Sequence, residues 1–406
     1  MKISRNFVCC LRAIVCILVP FSWSNAYADA DDVFNLIGSV ASGYDSNLFK
    51  LPNGQTPSTP TGSTQRWDNI NVTGLELSLD KKYALQRFQL DYQIISTKYQ
   101  NNGYLDFDAK DYKYAWVWAI SPELTGNIYL QQNQTLASFS DYRNGNLQNI
   151  ITTSNKNFDF DYSPHDVWHF IGRYAEIGAT NSQVFSEQTS FSSKNYEGGL
   201  KYVFNSQSYV ALALRDTTGV LLGQNLDYVL LTDNGFKQST ADISGLWFLT
   251  GKSKLDFDFA YTAYKANTFS QRDYSGSYGS LIYTWDVLPK TSVAFNLSRK
   301  LEAYVTTTSS YILTDSIGIT PTWNVSPKLL LKPNIVISKR EFLGQGSSVS
   351  AIERQDKVLK YGLSIDWLPR NYIKTNLSIQ HQNRNSNNSS YDFLDNFITV
   401  SAQLDF

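Results

Sequence analysis

The side chains nearest in type to a catalytic or metal-binding set are His165, His169 and His381. On a helix, His165 and His169 would share one face and could hold zinc with an acidic third ligand. Here they bracket a turn and the start of an alternating segment, and no acidic spacing accompanies them, so they read as structural or interface histidines. His381 has serines within reach in sequence, the residue types of a barrel phospholipase, but no spacing supports that pair. Glycine-rich phosphate loops and carboxylates at hydrolase spacing are absent. The expectation is no enzyme, no cofactor and no metal.

A different chemistry is written in Glu76, Asp91, Lys113, Asp159, Asp161, Lys201, Asp256, Asp258, Lys332, Lys360, Asp366 and Lys374. Each interrupts a segment whose alternate residues are apolar. Both signs are interspersed, which suits a wet wall that solvates and guides a polar solute without strong ion selectivity. The competing reading is paired charges filling a plugged interior.

Placing such charges on one side and oil on the other requires strands. In the last stretch Ile398, Val400, Ala402, Leu404 and Phe406 alternate with Thr399, Ser401, Gln403 and Asp405. Tyr112, Tyr114, Trp116, Trp118 and Ile120 share a face, as do Leu359, Tyr361, Leu363, Ile365 and Trp367. Turn signals recur about every 40 residues, at Asp80-Lys81-Lys82, Ser121-Pro122, Ser163-Pro164, Asn205-Ser206-Gln207, Thr250-Gly251-Lys252, Leu288-Pro289, Ser326-Pro327 and Leu368-Pro369. Between them lie longer polar connections, the largest at about residues 45–67. Alternation of short and long connections predicts an all-β fold, a transmembrane antiparallel up-and-down β-barrel of about 18 strands, with 16 as the alternative count. A β-propeller has a similar period, but its blades need four short strands where each period here holds two long ones.

Seven tryptophans, Trp116, Trp118, Trp168, Trp247, Trp285, Trp323 and Trp367, fall within a few residues of a short turn. Folded through those turns they form an interface girdle at one rim. Register is fixed by energy: slipping one strand by one residue would put Asp91 or Lys360 into lipid, at up to roughly 2 to 4 kcal/mol for a midplane lysine.

Residues 1–28 read as a secretory signal, with Lys2, Arg5 and Arg12, an apolar run from Phe7 to Trp23, and Ala26-Tyr27-Ala28 as the cleavage site. Residues 29–406 would then be the barrel, exported to the outer membrane of a Gram-negative cell. Cys9, Cys10 and Cys16 all lie in the signal, which excludes disulfides and thiolate metal sites from the mature chain. A mean hydropathy of -0.30 is compatible with membrane insertion because only alternate residues meet lipid. The net charge of -1 gives no sign of nucleic-acid binding.

The most specific local stretch is Gly43-Tyr44-Asp45-Ser46-Asn47-Leu48-Phe49-Lys50-Leu51-Pro52. From its residues alone it is an Asx-type turn leading into the first outside loop. It also resembles the opening of the EpsL-type exopolysaccharide outer-membrane proteins of the β-barrel porin type 2 family, with Lys50 where those often carry arginine. The resemblance singles out Tyr44, Asp45, Asn47, Leu48 and Phe49. It implies a role in exopolysaccharide production or export, with oligo- or polysaccharide passing through the lumen and periplasmic export components as partners. Leu404 and Phe406 look like the terminal signal read by the barrel-assembly machinery. Two other roles fit the same barrel: a general diffusion porin for small solutes, and a non-conducting barrel that docks secretion components.

Overall fold

The computed structural model describes residues 33–142, 146–183, 190–304, 306, 308–344 and 353–406. The proposed signal segment lies outside them. Strands alternate with connections throughout: β1 (Phe34–Asp45), β2 (Asp68–Tyr83), β3 (Gln86–Tyr99), β4 (Phe107–Ser121), β5 (Leu124–Leu136) and β6 (Ile150–His165). Next come β7 (Trp168–Asn181), β8 (Ser190–Val203), β9 (Tyr209–Leu222), β10 (Gly235–Thr250), β11 (Ser253–Ala266) and β12 (Tyr274–Leu288). The ring is completed by β13 (Thr291–Ala303), β14 (Tyr311–Ser326), β15 (Leu329–Leu343), β16 (Gln355–Arg370), β17 (Ile373–Ser386) and β18 (Phe393–Asp405).

Each strand pairs antiparallel with its neighbours in sequence, and β1 pairs with both β2 and β18, so the 18-stranded sheet closes on itself. Closure satisfies every strand edge, which a lipid environment demands. No helix among the described residues is long and apolar enough to cross a membrane; the crossing elements are the strands.

Three expected turns are displaced. Asp80 to Lys82 belong to β2, and the reversal falls at Ala84 and Leu85, with Ala84 at φ 51°. Pro164 and Pro369 still lie in β6 and β16, where the register shifts between Tyr162 and His165 and between Trp367 and Arg370. A bulge is where a strand can accommodate a residue without an N–H, so proline marks the strand end rather than the turn itself. Pro321 and Pro333 are a sharper case. The β14–β15 register runs from Ile319 opposite Ile335 to Trp323 opposite Leu331, which sets the two prolines against each other across a gap in the ladder. Neither can donate, so this seam lacks hydrogen bonds that the others make.

Trp118, Trp247, Trp285, Trp323 and Trp367 each stand three residues before the last residue of their strand. Trp168 opens β7, and Trp116 lies two residues before Trp118 on the same face. All seven therefore gather at the short-turn rim. Trp247, Trp285, Trp323 and Trp367 are exposed on the outer face, whereas Trp118 is buried against Phe158 and over Gly126. A Cβ at Gly126 would meet the Trp118 ring at 2.4 Å, so here the indole covers a bare stretch of its neighbour's backbone.

Candidate functional site: a strapped, charge-lined lumen

The inner wall is a set of cross-strand polar rows. One runs by register through Asn127, Asp159, Arg173, Glu197, Arg215, Thr240 and Thr262, alternating acid with base at its centre. Its contacts include Asn127 to Asp159 at 2.9 Å, Arg215 to Glu197 at 2.6 Å and the Thr240 and Thr262 hydroxyls at 2.9 Å. Asp161 takes His169 at 2.6 Å and also pairs with Lys201. The histidine therefore belongs to an ion cluster on the wall, and the described residues contain no group able to hold a metal.

The expected lumen residues fall on this inner face. Asp91 accepts from Ser78 at 2.7 Å and stands opposite Lys113 in register, and Glu76 is two residues from Ser78 on the same side. Asp256 and Asp258 share the face of Thr262. Lys332 pairs with Asp366, and Lys374 with Asp405, both at 2.9 Å. Lys360 lines a pocket of about 290 Å³ together with Asp141, Lys300, Glu302, Arg340 and Arg384. His381, by contrast, faces outward. Its ring stacks on Tyr361 at 4.7 Å and its Nδ1 meets Asn396 Oδ1 at 2.8 Å. The positions opposite and diagonal to it are Tyr361, Leu359, Leu363, Asn396, Leu394 and Ile398, so no serine completes a hydrolytic pair there.

The feature with no forecast in the sequence is a strap. The connection between β5 and β6 does not stay over its own strands. Its Asp141 reaches β15, β17 and the connection into β16, nearly half-way round an 18-strand ring, and therefore crosses the mouth. Asp141 accepts from Arg354 at 2.8 Å, Arg384 at 2.9 Å and Arg340 at 3.1 Å. Arg384 also donates to the Ser140 carbonyl, and Arg354 binds Asp356 at 2.5 Å. Arg384 is 1% exposed and the Asp356 side chain 0%, so the cluster sits out of water. Aromatic faces cover it: Arg354 lies 3.5 Å from the Tyr391 ring centroid and 4.0 Å from that of Phe342, and Arg384 4.5 Å from that of Phe393.

Desolvation alone would raise the Asp141 carboxyl, but Arg340, Arg384 and Arg354 outweigh it and hold the group down at about 2. A lowered folded-state value stabilises docking above the ordinary carboxylate pKa of 3.8, and that contribution is lost as pH falls toward 2. The strap should accordingly stay docked from neutral pH down to about 4. Single-channel conductance recorded in planar bilayers is expected to be flat over that range and to rise only in more acid solution; a step between pH 7 and 5 would contradict the assignment.

The motif around Tyr44 builds the root of this cap. Asp45 accepts from the Asn47 amide at 2.8 Å, and Lys50 bridges Asp45 at 2.9 Å and Asp395 at 2.5 Å. Asn47 donates to the carbonyls of Leu51 at 2.9 Å and Leu394 at 3.0 Å while accepting from the Leu51 amide. The turn so fixed drives Leu48 and the fully buried Phe49 into a cluster with Leu51, Leu105 and Phe139. Phe139 belongs to the strap and meets Phe49 at 5.1 Å. Tyr44 itself packs on Trp67 at 5.9 Å. At the other end of the chain Leu404 sits opposite Gly38 and Ile373, and the Phe406 amide donates to the Leu36 carbonyl at 2.8 Å.

Arg340 and Arg384 lie an even number of residues from Lys332 and Lys374 on their own strands, so alternation alone points them inward. Arg354 and Asp141 lie in connections, where no periodicity exists to read.

Comparison with known proteins agrees with this architecture. The family model "Putative beta-barrel porin 2" matches residues 239–406. No curated protein matches the chain. Among solved structures it is similar to OccK2 (OpdF) from Pseudomonas aeruginosa, with 11% identity, a TM-score of 0.53, and coverage of 94% of this chain and 100% of that one. OpdK from the same organism aligns with 11% identity and a TM-score of 0.52 over 92% of this chain and 99% of its own. A BenF-like porin from Pseudomonas fluorescens Pf-5 gives the same identity, TM-score and coverage. The closed 18-strand barrel of this chain is thus the fold of outer-membrane porins.

Proposed function

We propose that the protein is an outer-membrane channel for acidic saccharide, serving an exopolysaccharide system, with the strap of residues 137–142 setting its aperture. The supporting observation is the Asp141 site: three guanidiniums converge on one carboxylate, the group that a uronic acid residue would present. Hydroxyls and amides for the rest of a sugar are close by, with Ser338, Thr314 and Gln382 lining the same pocket. A barrel of the same fold, OccK2 (OpdF), has been solved in complex with glucuronate. The resemblance of the Tyr44 to Phe49 motif supports the link to exopolysaccharide.

A second reading is a diffusion porin for small anionic solutes unconnected with polymer. The docked strap favours it, since the pocket beside Asp141, at about 290 Å³, suits a single sugar rather than a threaded chain. Purified protein in planar bilayers separates the two. Under the polymer reading a polyuronate blocks current at lower concentration than a neutral dextran of equal length, and deleting the gene lowers surface polysaccharide. Block by glucuronate alone with unchanged surface polysaccharide supports the small-solute porin, and a sealed bilayer sinks both.

A further inference from the structure

The outward face at the long-loop rim carries an arrangement that neither the lumen nor the strap uses. Lys237 of β10 and Lys265 of β11 stand directly opposite each other in register. Lys194 of β8 joins them in the same row, separated only by Thr218 of β9. Ile243, Trp247, Phe259 and Tyr261 on the same faces are exposed apolar side chains, which fixes this as the lipid-facing side. Like charges directly opposite on paired strands repel. Among the described residues neither Lys237 nor Lys265 has an ion-pair partner. Three carboxylates border the row: Asp216 accepts from Ser239 Oγ at 2.7 Å, Asp273 accepts from the Ala266 amide at 2.8 Å, and Glu176, opposite Lys194 in register, pairs with Lys156 at 3.4 Å, so none of them closes an ion pair with Lys237 or Lys265.

Height supplies an independent observation. Lys237 and Trp247 lie on one face of one strand, ten residues apart. At about 3.3 Å per residue on a strand tilted by about 40°, that is roughly 25 Å of height, the depth of a barrel's apolar band. With the tryptophans at one interface, the two lysines sit at the opposite interface, at headgroup level. Lys357 and Trp367 repeat this ten-residue spacing on β16.

We infer that Lys237 and Lys265 form a phosphate-binding site for a phosphorylated glycolipid of the outer leaflet. An anion placed between the two ammonium groups turns their repulsion into attraction. The bilayer is its nearest source, because both side chains project away from the lumen at headgroup height.

The test uses the purified full barrel in phosphatidylcholine nanodiscs doped with bisphosphorylated lipid A or with its dephosphorylated form, and native mass spectrometry reads the retained lipid. Retention is expected for the phosphorylated form alone and should fall roughly tenfold in Lys237→Gln/Lys265→Gln. It should be restored in Lys237→Arg/Lys265→Arg, which keeps the charge. Heat-modifiable migration on a gel confirms that each variant is closed. Equal retention of dephosphorylated lipid, or undiminished retention by the glutamine variant, overturns the site. Stripping of the lipid by inorganic phosphate at modest concentration would show that the pair takes free phosphate and overturn the lipid assignment.

Discussion

Replacing Asp141 by alanine is expected to raise single-channel conductance severalfold, the largest functional effect of any single substitution in this barrel. Residues 137–142 of the strap are held through Phe139, Asp141 and Tyr142. Its root is fixed by Phe139 on Phe49, its middle by Asp141 among the arginines, and Tyr142 packs on Tyr304 at 5.6 Å. The middle contact ties it by charge to β15 and β17, and Tyr142 adds apolar packing on the Tyr304, Ile312 and Phe342 cluster. Removing one partner of a buried ion cluster leaves the others uncompensated, at about 3 to 5 kcal/mol. Arg340, Arg354 and Arg384 would then share Asp356 alone, a net charge of about two out of water, and the cheapest relief is to admit water by releasing the strap. Asp141→Asn keeps the shape and loses the charge, so it should fall between wild type and alanine. Conductance unchanged in both variants would mean that the strap does not define the aperture, and the proposed gate would fail with it. The barrel itself should be unaffected, since none of its ladder bonds involves the strap.

The contrast between strap and wall explains which parts were legible in the chain. Strand faces obey a period of two, so a single inward residue fixes the side of every other one on its strand. Knowing that Asp356 joins the arginines that hold the strap places Lys360 and Asp366 inside and Leu363 and Trp367 outside, as alternation requires. Short turns and the tryptophan rim were readable for the same reason, apart from the displacement of Pro164 and Pro369 into bulges. The strap was not. The docking of Asp141 depends on contacts some 200 residues away in sequence, with Arg340 and Arg354. No local rule links a loop to the opposite wall of a ring. The Tyr44 to Phe49 stretch lies between these cases: its Asx turn was readable, but the partner that gives Phe49 its purpose, Phe139, belongs to another loop.

That asymmetry makes a paired substitution on β16 the most direct trial of the wall. Leu363 and Ser364 are adjacent near the middle of the strand, and Leu363 shares its face with Tyr361 and Trp367, both exposed to the outside. Leu363→Lys would put an ammonium at the bilayer midplane and is expected to destabilise the protein by about 2 to 4 kcal/mol. Ser364→Lys places the same charge on the wet side. There Ser364 accepts from Asn376 at 2.8 Å and stands opposite Lys332, whose charge is offset by Asp366 two residues along the same face, so in water the cost should stay within about 1 kcal/mol. Unfolding midpoints in guanidinium, measured on protein refolded into phospholipid vesicles, would report both. A neighbouring pair differing by several kcal/mol for one identical side chain has no explanation in propensity or local packing, only in a sheet with lipid on one side and water on the other. Similar costs at the two positions would mean that β16 does not separate those media, and the lumen, its charge rows and the strap across it would lose their setting.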